Sequence, residues 1–258
     1  MIDLHCHLLP AIDDGPKTMD ETLALAGALA AAGISRVVAT PHVSPEYPNE
    51  PERIGQLVAL VSAQLARRGL PLRVDQGAEI DLDHTRARGD DVFASLTLAG
   101  SSTLLIECPF SRVVPHFEAR VVQLMGRGHR VLLAHPERSP LFLHEPALLV
   151  RLVGEGALAS LTGASFSGRF GSTAQRYAEW AVEDGLAHNV ATDAHNTRGR
   201  GPVLREALLN AGYDWAADWL TQDVPEALLT DAPLPPRPSR PARMLPWARR
   251  KRAAPRAS

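Results

Sequence analysis

The chain is 258 residues long, 45% hydrophobic and 22% charged, which is enough apolar material for one α/β domain with a sizeable core. No run approaches the length of uninterrupted apolar sequence that a membrane span needs, and the opening residues lack the basic and apolar pattern of a secretory leader. The net charge of −2 hides an asymmetry: residues 233–258 carry eight cations and no acid, so residues 1–232 hold 19 basic and 29 acidic side chains. An acidic body is a poor surface for nucleic acid. The two cysteines form no disulfide framework, which fits a reducing cytoplasm. Neither Cys6 nor Cys108 has an arginine six positions on (Ile12 and Val114 stand there), so a cysteine-phosphatase loop is excluded.

In chain order, Ile2 to Cys6 reads as a short buried strand that opens into the loop Leu8 to Gly15. Thr18 and Glu21 are spaced as a capping box, predicting a helix to about Ala32 that Gly33 ends. A β-branched strand follows over Ile34 to Thr40, then a proline-rich loop and a helix from about Pro51 to Arg68. Strands are expected at Leu72 to Ala78 and Thr103 to Ile106, with residues 80–101 irregular between them. Further on, helices at about 115–127, 145–155 and 172–184 alternate with strands at 130–134, 157–162 and 188–192. Helical pieces near 203–211, 214–220 and 225–229 close the globule. Strict alternation demands parallel strands with right-handed crossovers. Seven such units, with no GxGxxG turn after the first strand, favour a distorted (β/α)7 TIM-like barrel; an open flavodoxin-like sheet is the lesser alternative.

The candidate chemistry gathers at predicted strand ends. His5 and His7, two apart on the first strand, project to the same side. His42, Glu79, Glu107, His135, Asp193 and His195 each stand at or just beyond a later strand end, and Asp14 lies in the loop after the first strand. The carboxyl-terminal face of a barrel carries its active site. Nine imidazole and carboxylate donors without a thiolate exceed what one ion can use, and suit two or three adjacent Mn²⁺, Fe²⁺ or Zn²⁺ ions. Such a site is suited to hydroxide attack at phosphorus. Arg138 and Arg200, just past two of the clusters, present planar forks that match phosphate oxygens, with Arg198 as a rival for the second position. An amidohydrolase with a carboxylated lysine is excluded, because Lys17 and Lys251 are the only lysines and neither stands at a strand end.

Five segments carry a resemblance: residues 1–15 (MIDLHCHLLPAIDDG), Ala39-Thr-Pro-His42, His135-Pro-Glu-Arg138, Gly168-Arg-Phe-Gly171 and Thr192-Asp-Ala-His-Asn196. Together they resemble the bacterial tyrosine-protein phosphatases of the polymerase-and-histidinol-phosphatase (PHP) superfamily, the CpsB/YwqE-like capsule and exopolysaccharide regulators. The resemblance covers roughly residues 1–230. It implies three ions of the Mn²⁺ type, with Fe²⁺, Zn²⁺ or Co²⁺ as substitutes, and phosphotyrosine on a bacterial tyrosine kinase as substrate. By position it would assign His5, His7, Glu79 and Asp193 to one ion, Glu79, Glu107 and His135 to a second, and Asp14, His42 and His195 to a third. Arg138 and Arg200 would bind the phosphoryl group, and Asp3 is expected to orient a ligand imidazole. The alternatives are another PHP phosphoesterase, acting on histidinol phosphate or a nucleotide, and a metal-binding regulatory module without catalysis. The Pro- and Arg-rich segment 233–258 has no counterpart in the motif set. It is expected to be disordered, and its functional reading is contact with anionic lipid at the inner face of the membrane.

Overall fold

Among residues 1–86 and 91–240, which the computed structural model describes, the apolar runs form strands in the expected order. β1 (Ile2–Cys6) pairs with β2 (Arg36–Ala39), and β2 with β4 (Arg73–Gln76), both parallel. A second parallel set runs β3 (His42–Val43), β5 (Glu79–Ile80), β6 (Thr103–Glu107), β7 (Arg130–Ala134), β8 (Leu158–Thr162) and β9 (Asn189–Ala191). The two sets continue one another. β2 and β3 are a single run interrupted at Thr40-Pro41, and β4 and β5 are interrupted at Gly77-Ala78. A Cβ at Gly77 would lie 2.7 Å from Val38 Cγ1 and 2.9 Å from Leu98 Cδ2, so this close approach needs glycine.

At the carboxyl-terminal rim the last strand line returns to the first. Asp193 N donates to His5 O at 2.8 Å, His7 N donates to Ala194 O at 2.9 Å, and Cys6 bridges Ala194. Seven parallel strand lines in chain order, drawn together at one rim, make the distorted barrel expected from the alternation. Leu4, Val38, Leu105, Leu132 and Val190 are all completely buried. Strands covered on both faces read as continuous apolar runs, which is why they were legible.

The helices are α1 (Met19–Ala31), α2 (Pro51–Arg67), α3 (Leu82–Arg86), α4 (Asp91–Ser95), α5 (Phe117–Gly126), α6 (Pro140–His144), α7 (Pro146–Gly154), α8 (Gly171–Glu183), α9 (Arg205–Asn210), α10 (Asp214–Asp218) and α11 (Val224–Leu229). Thr18 caps α1 by accepting from Glu21 N at 3.2 Å, while the Glu21 carboxylate turns back to Lys17 N at 2.6 Å. The stretch expected to be irregular before β6 contains α3 and α4. A π-helical turn, Trp219–Asp223, joins α10 to α11. No described helix is long and apolar enough to cross a membrane.

One boundary differs from the sequence reading. Disorder was expected from residue 233, but Arg237 donates to Val182 O at 2.7 Å and Ala187 O at 2.8 Å, with its guanidinium 5.0 Å from the Trp219 ring centre. Trp219 Nε1 also donates to Pro235 O at 3.1 Å. Carbonyls at the end of α8 attract a cation, and composition alone does not reveal that such an acceptor is within reach. The remaining basic cluster, in residues 241–258, lies outside the described residues.

Candidate metal centre

The alternation of β1 brings His5 and His7 to one side, where their Nε2 atoms stand 3.2 Å apart. Glu79 Oε2 lies 3.1 Å and 3.3 Å from those two nitrogens, and Asp193 Oδ1 lies 3.4 Å from each. Four donor atoms thus surround one point. Around it, Glu79 Oε1 meets His135 Nε2 at 2.7 Å, and His42 Nδ1 lies 3.2 Å from Glu79 Oε2 and 3.9 Å from Glu107 Oε2. Asp14 Oδ1 lies 3.1 Å from His195 Nε2 and 3.6 Å from His42 Nε2. All nine candidate ligands therefore converge at the rim where the barrel closes. Their groupings are His5-His7-Asp193, His5-Glu79-His135, His42-Glu79-Glu107 and His7-Asp14-His42-His195. In one respect this departs from the expected partition: Glu107 closes on His42 and Glu79, whereas His135 closes on His5 and Glu79.

The donor set fits divalent cations. One imidazole proton can satisfy one acceptor, yet Glu79 Oε2, Asp193 Oδ1, His135 Nδ1 and His195 Nε2 are all buried without a hydrogen-bond partner. Such orphans are costly unless a ligand meets them. Burial lowers His135 and His195 to about 4, helped by the Arg138 charge at the first and the His7 charge at the second. Both rings are therefore neutral, the form that ligates metal. Burial, then the charges of Glu79 and Asp81, push Glu107 up to about 9. This excess of carboxylates calls for cations to hold it ionised.

Backbone strain aims two of the donors. His135 and Asp193, each following a strand, adopt φ of 38° and 50°, a left-handed conformation that side chains other than glycine rarely take. Strain of this kind collects at sites where geometry outweighs its cost of about 1–3 kcal/mol.

The sequence reading misplaced one support. Asp3 does not reach an imidazole: its carboxylate accepts from Thr192 Oγ1 at 2.5 Å, Thr192 N at 3.0 Å and His5 N at 3.3 Å, tying β1 to the end of β9. Burial raises Asp3 to about 6 against those hydrogen bonds. Asp13 orients the ring instead, with Oδ2 2.7 Å from His7 Nδ1, while its other oxygen accepts from Gly15 N at 2.9 Å. The loop folds so tightly here that a Cβ at Gly15 would lie 2.6 Å from His7 O. Asp-Asp-Gly had signalled a turn, and nothing in its spacing told which aspartate would face inward.

Two guanidinium groups meet on Asp193 Oδ2, that of Arg138 through Nη1 and that of Arg200 through Nη2 at 2.7 Å. Arg138 also lies over the Phe170 ring, 4.3 Å from its centre. Arg198 is exposed, and the choice between it and Arg200 is made by Asn196, whose Oδ1 accepts from the backbone of Arg198, Gly199 and Arg200 at 2.7–3.0 Å. That closure turns Arg200 inward; sequence reasoning passed over Asn196, an ordinary turn former. Next to Arg138, buried Glu137 accepts from Thr162 N at 2.8 Å and Ser165 Oγ at 2.7 Å, pinning the turn to β8. Both cysteines are buried with their thiols pushed up, first by burial, so neither offers a thiolate nucleophile.

The family of capsular polysaccharide synthesis proteins CpsB/CapC matches residues 1–222. The tyrosine-protein phosphatase YwqE of Bacillus subtilis is 35% identical over 209 residues, covering 81% of this chain and 82% of that protein. A putative tyrosine-protein phosphatase of Staphylococcus aureus, CapC, is 29% identical with the same coverage. A chain from the crystal structures of YwqE and Streptococcus pneumoniae CpsB, described as unique metal-dependent tyrosine phosphatases, superposes with a TM-score of 0.81 at 32% identity, over 93% of this chain and all of that one. With a barrel whose rim gathers nine donors beneath two arginines, and with these relatives, the chain belongs to the CpsB/CapC family.

Proposed function

We propose that the chain is a metal-dependent protein-tyrosine phosphatase that hydrolyses phosphotyrosine on a bacterial tyrosine kinase controlling capsule or exopolysaccharide synthesis. One observation carries the metal dependence: the Nε2 atoms of His5 and His7, 3.2 Å apart, converge on Glu79 Oε2 and Asp193 Oδ1, two buried carboxylate oxygens that make no hydrogen bond. The nine donors, gathered as His5-His7-Asp193, His5-Glu79-His135, His42-Glu79-Glu107 and His7-Asp14-His42-His195, would together hold three ions of the Mn²⁺ type (Fe²⁺, Zn²⁺ or Co²⁺ in substitution). When bound, the cations supply Lewis acidity at the phosphoryl oxygens and hydroxide for attack at phosphorus near neutral pH.

The protein's own groups do the rest. Arg138 and Arg200 converge from two loops and present forked donors to a phosphoryl anion. Asp13 fixes the His7 ring. A tyrosine phenolate has a pKa near 10, which lessens the demand for a strong general acid, and we assign none. In the cell the reading places the enzyme in the cytoplasm, at the inner face of the membrane through the basic residues beyond 240, beside a membrane-bound kinase. The deciding experiment is a substrate panel on Mn²⁺-loaded protein: p-nitrophenyl phosphate, a phosphotyrosyl peptide, histidinol phosphate and nucleoside monophosphates. Preference for either of the last two would replace this reading with another PHP phosphoesterase. No turnover on any, with metal bound, would favour a regulatory module.

A further inference from the structure

A cleft of about 280 Å³ opens beside the metal centre and shares Glu107 with it; Leu82, Phe110, Val114 and Phe117 make its apolar part, and Asp81 and Asp83 also line it. Leu82 and Phe117 are buried, whereas Phe110 and Val113 are 58% and 75% exposed, the two most exposed large apolar side chains among the described residues. Exposed apolar groups collected at the edge of a site mark a surface for an apolar ligand. This loop is anchored: Ser139 Oγ donates to Pro109 O, joining its base to the turn that carries Arg138. The Phe110 ring centre lies 5.7 Å from that of His135 and 6.0 Å from Arg138 Cζ.

We propose that this cleft receives the aromatic ring of the ester, so that Phe110 determines a preference for aryl over alkyl phosphate monoesters. The proposal rests on the phosphatase reading and adds the part of the substrate beyond the phosphoryl group. A phosphoryl anion held by Arg138 places its ester substituent within reach of Phe110. An aryl ring can meet Phe110 edge to face or offset at the usual 4.5–7 Å between centres, and a short alkyl group has no such face to offer. Two other aromatics stand near the centre. The Phe170 ring centre lies 4.3 Å from Arg138 Cζ, but Phe170 does not line this cleft. Tyr47 is already stacked on His42 at 5.7 Å and 15°, in a cavity that adds Asp14, Ser44 and Glu46 to the Asp81 and Glu107 shared by both. The apolar wall is therefore on the Phe110 side.

The test uses full-length, Mn²⁺-loaded protein and compares inhibition of p-nitrophenyl phosphate hydrolysis by phenylphosphonate and by inorganic phosphate. In Phe110→Ala the phenylphosphonate inhibition constant rises roughly three- to tenfold, the loss of one aromatic contact, while that of inorganic phosphate stays put; Phe110→Tyr restores most of the difference. An unchanged ratio in Phe110→Ala, or a loss carried by Tyr47→Ala instead, overturns the proposal while hydrolysis by the wild type leaves the phosphatase reading standing. Wild-type protein that hydrolyses no phosphomonoester and binds neither inhibitor overturns both.

Discussion

Asp13→Asn is the perturbation that most directly tests how the centre is held. His7 Nδ1 and Asp13 Oδ2 are 2.7 Å apart with both side chains fully buried, a length typical of charge-assisted hydrogen bonds. Asparagine preserves shape and one acceptor oxygen, so the loop keeps a partner for Gly15 N or His42 N, which Asp13 now serves at 2.9 Å and 3.2 Å. What is lost is the charge behind the imidazole. A hydrogen bond to a charged group contributes about 1.5–3 kcal/mol, and at about 1.4 kcal/mol per tenfold Mn²⁺ affinity should fall on the order of 10- to 100-fold, as for other groups that orient a ligand histidine. Titration calorimetry of metal-free protein with Mn²⁺ reads this directly, and kcat at saturating Mn²⁺ should recover in part. Asp3→Asn is the contrast, expected to lower thermal stability through its Thr192 bonds more than metal affinity. Wild-type affinity in Asp13→Asn together with a large loss in Asp3→Asn would refute the reasoning and return the orienting role to Asp3.

Glu107→Gln and His135→Ala should each abolish p-nitrophenyl phosphate hydrolysis with Mn²⁺ present; full activity in either removes that residue from the ligand set. His188, far from the centre, is held near 4 by burial and then by Arg237, against an ordinary 6.5. Between pH 6.5 and 4 the unfolded chain therefore takes up a proton that the folded one refuses, so stability falls as pH falls, by about 3 kcal/mol across the window. His188→Gln should flatten that part of a denaturant-measured stability profile, and a slope equal to the wild type's would count against it. Cutting the chain at 232 removes the Arg237 and Pro235 contacts. A loss of about 1.5–3 kcal/mol should lower Tm by roughly 3–10 °C, whereas a cut at 240 should leave Tm unchanged. Liposome co-sedimentation then isolates the basic cluster, since equal binding of full-length protein and residues 1–240 to anionic vesicles ends the membrane reading.

Periodicity and spacing determined much of this protein. Parallel strands buried on both faces are largely apolar, so β6 and β7 were legible as apolar runs, while β1 was legible from Ile2, Leu4 and Cys6 around the buried Asp3 and His5. Because alternating elements force parallel strands, His5, Glu79, His135 and Asp193 had to fall at a common rim. Which atoms meet across that rim is a tertiary matter. Glu107 and His42 come within 3.9 Å from different strands, and no spacing in the chain records that distance. Asp13 and Asp3 are the same residue type ten positions apart, yet one bonds His7 and the other Thr192. The loop Leu8–Gly15 folds back over β1 and turns Asp13 inward, whereas strand alternation alone governs Asp3. Likewise Arg237 became part of the body only because the carbonyls of Val182 and Ala187, at and just beyond the end of α8, lie within its reach. The sequence by itself determined the donor types and the end of the barrel at which they gather; the loops' closure decided which partner each one has, because contacts between distant segments depend on chain paths that local chemistry does not encode.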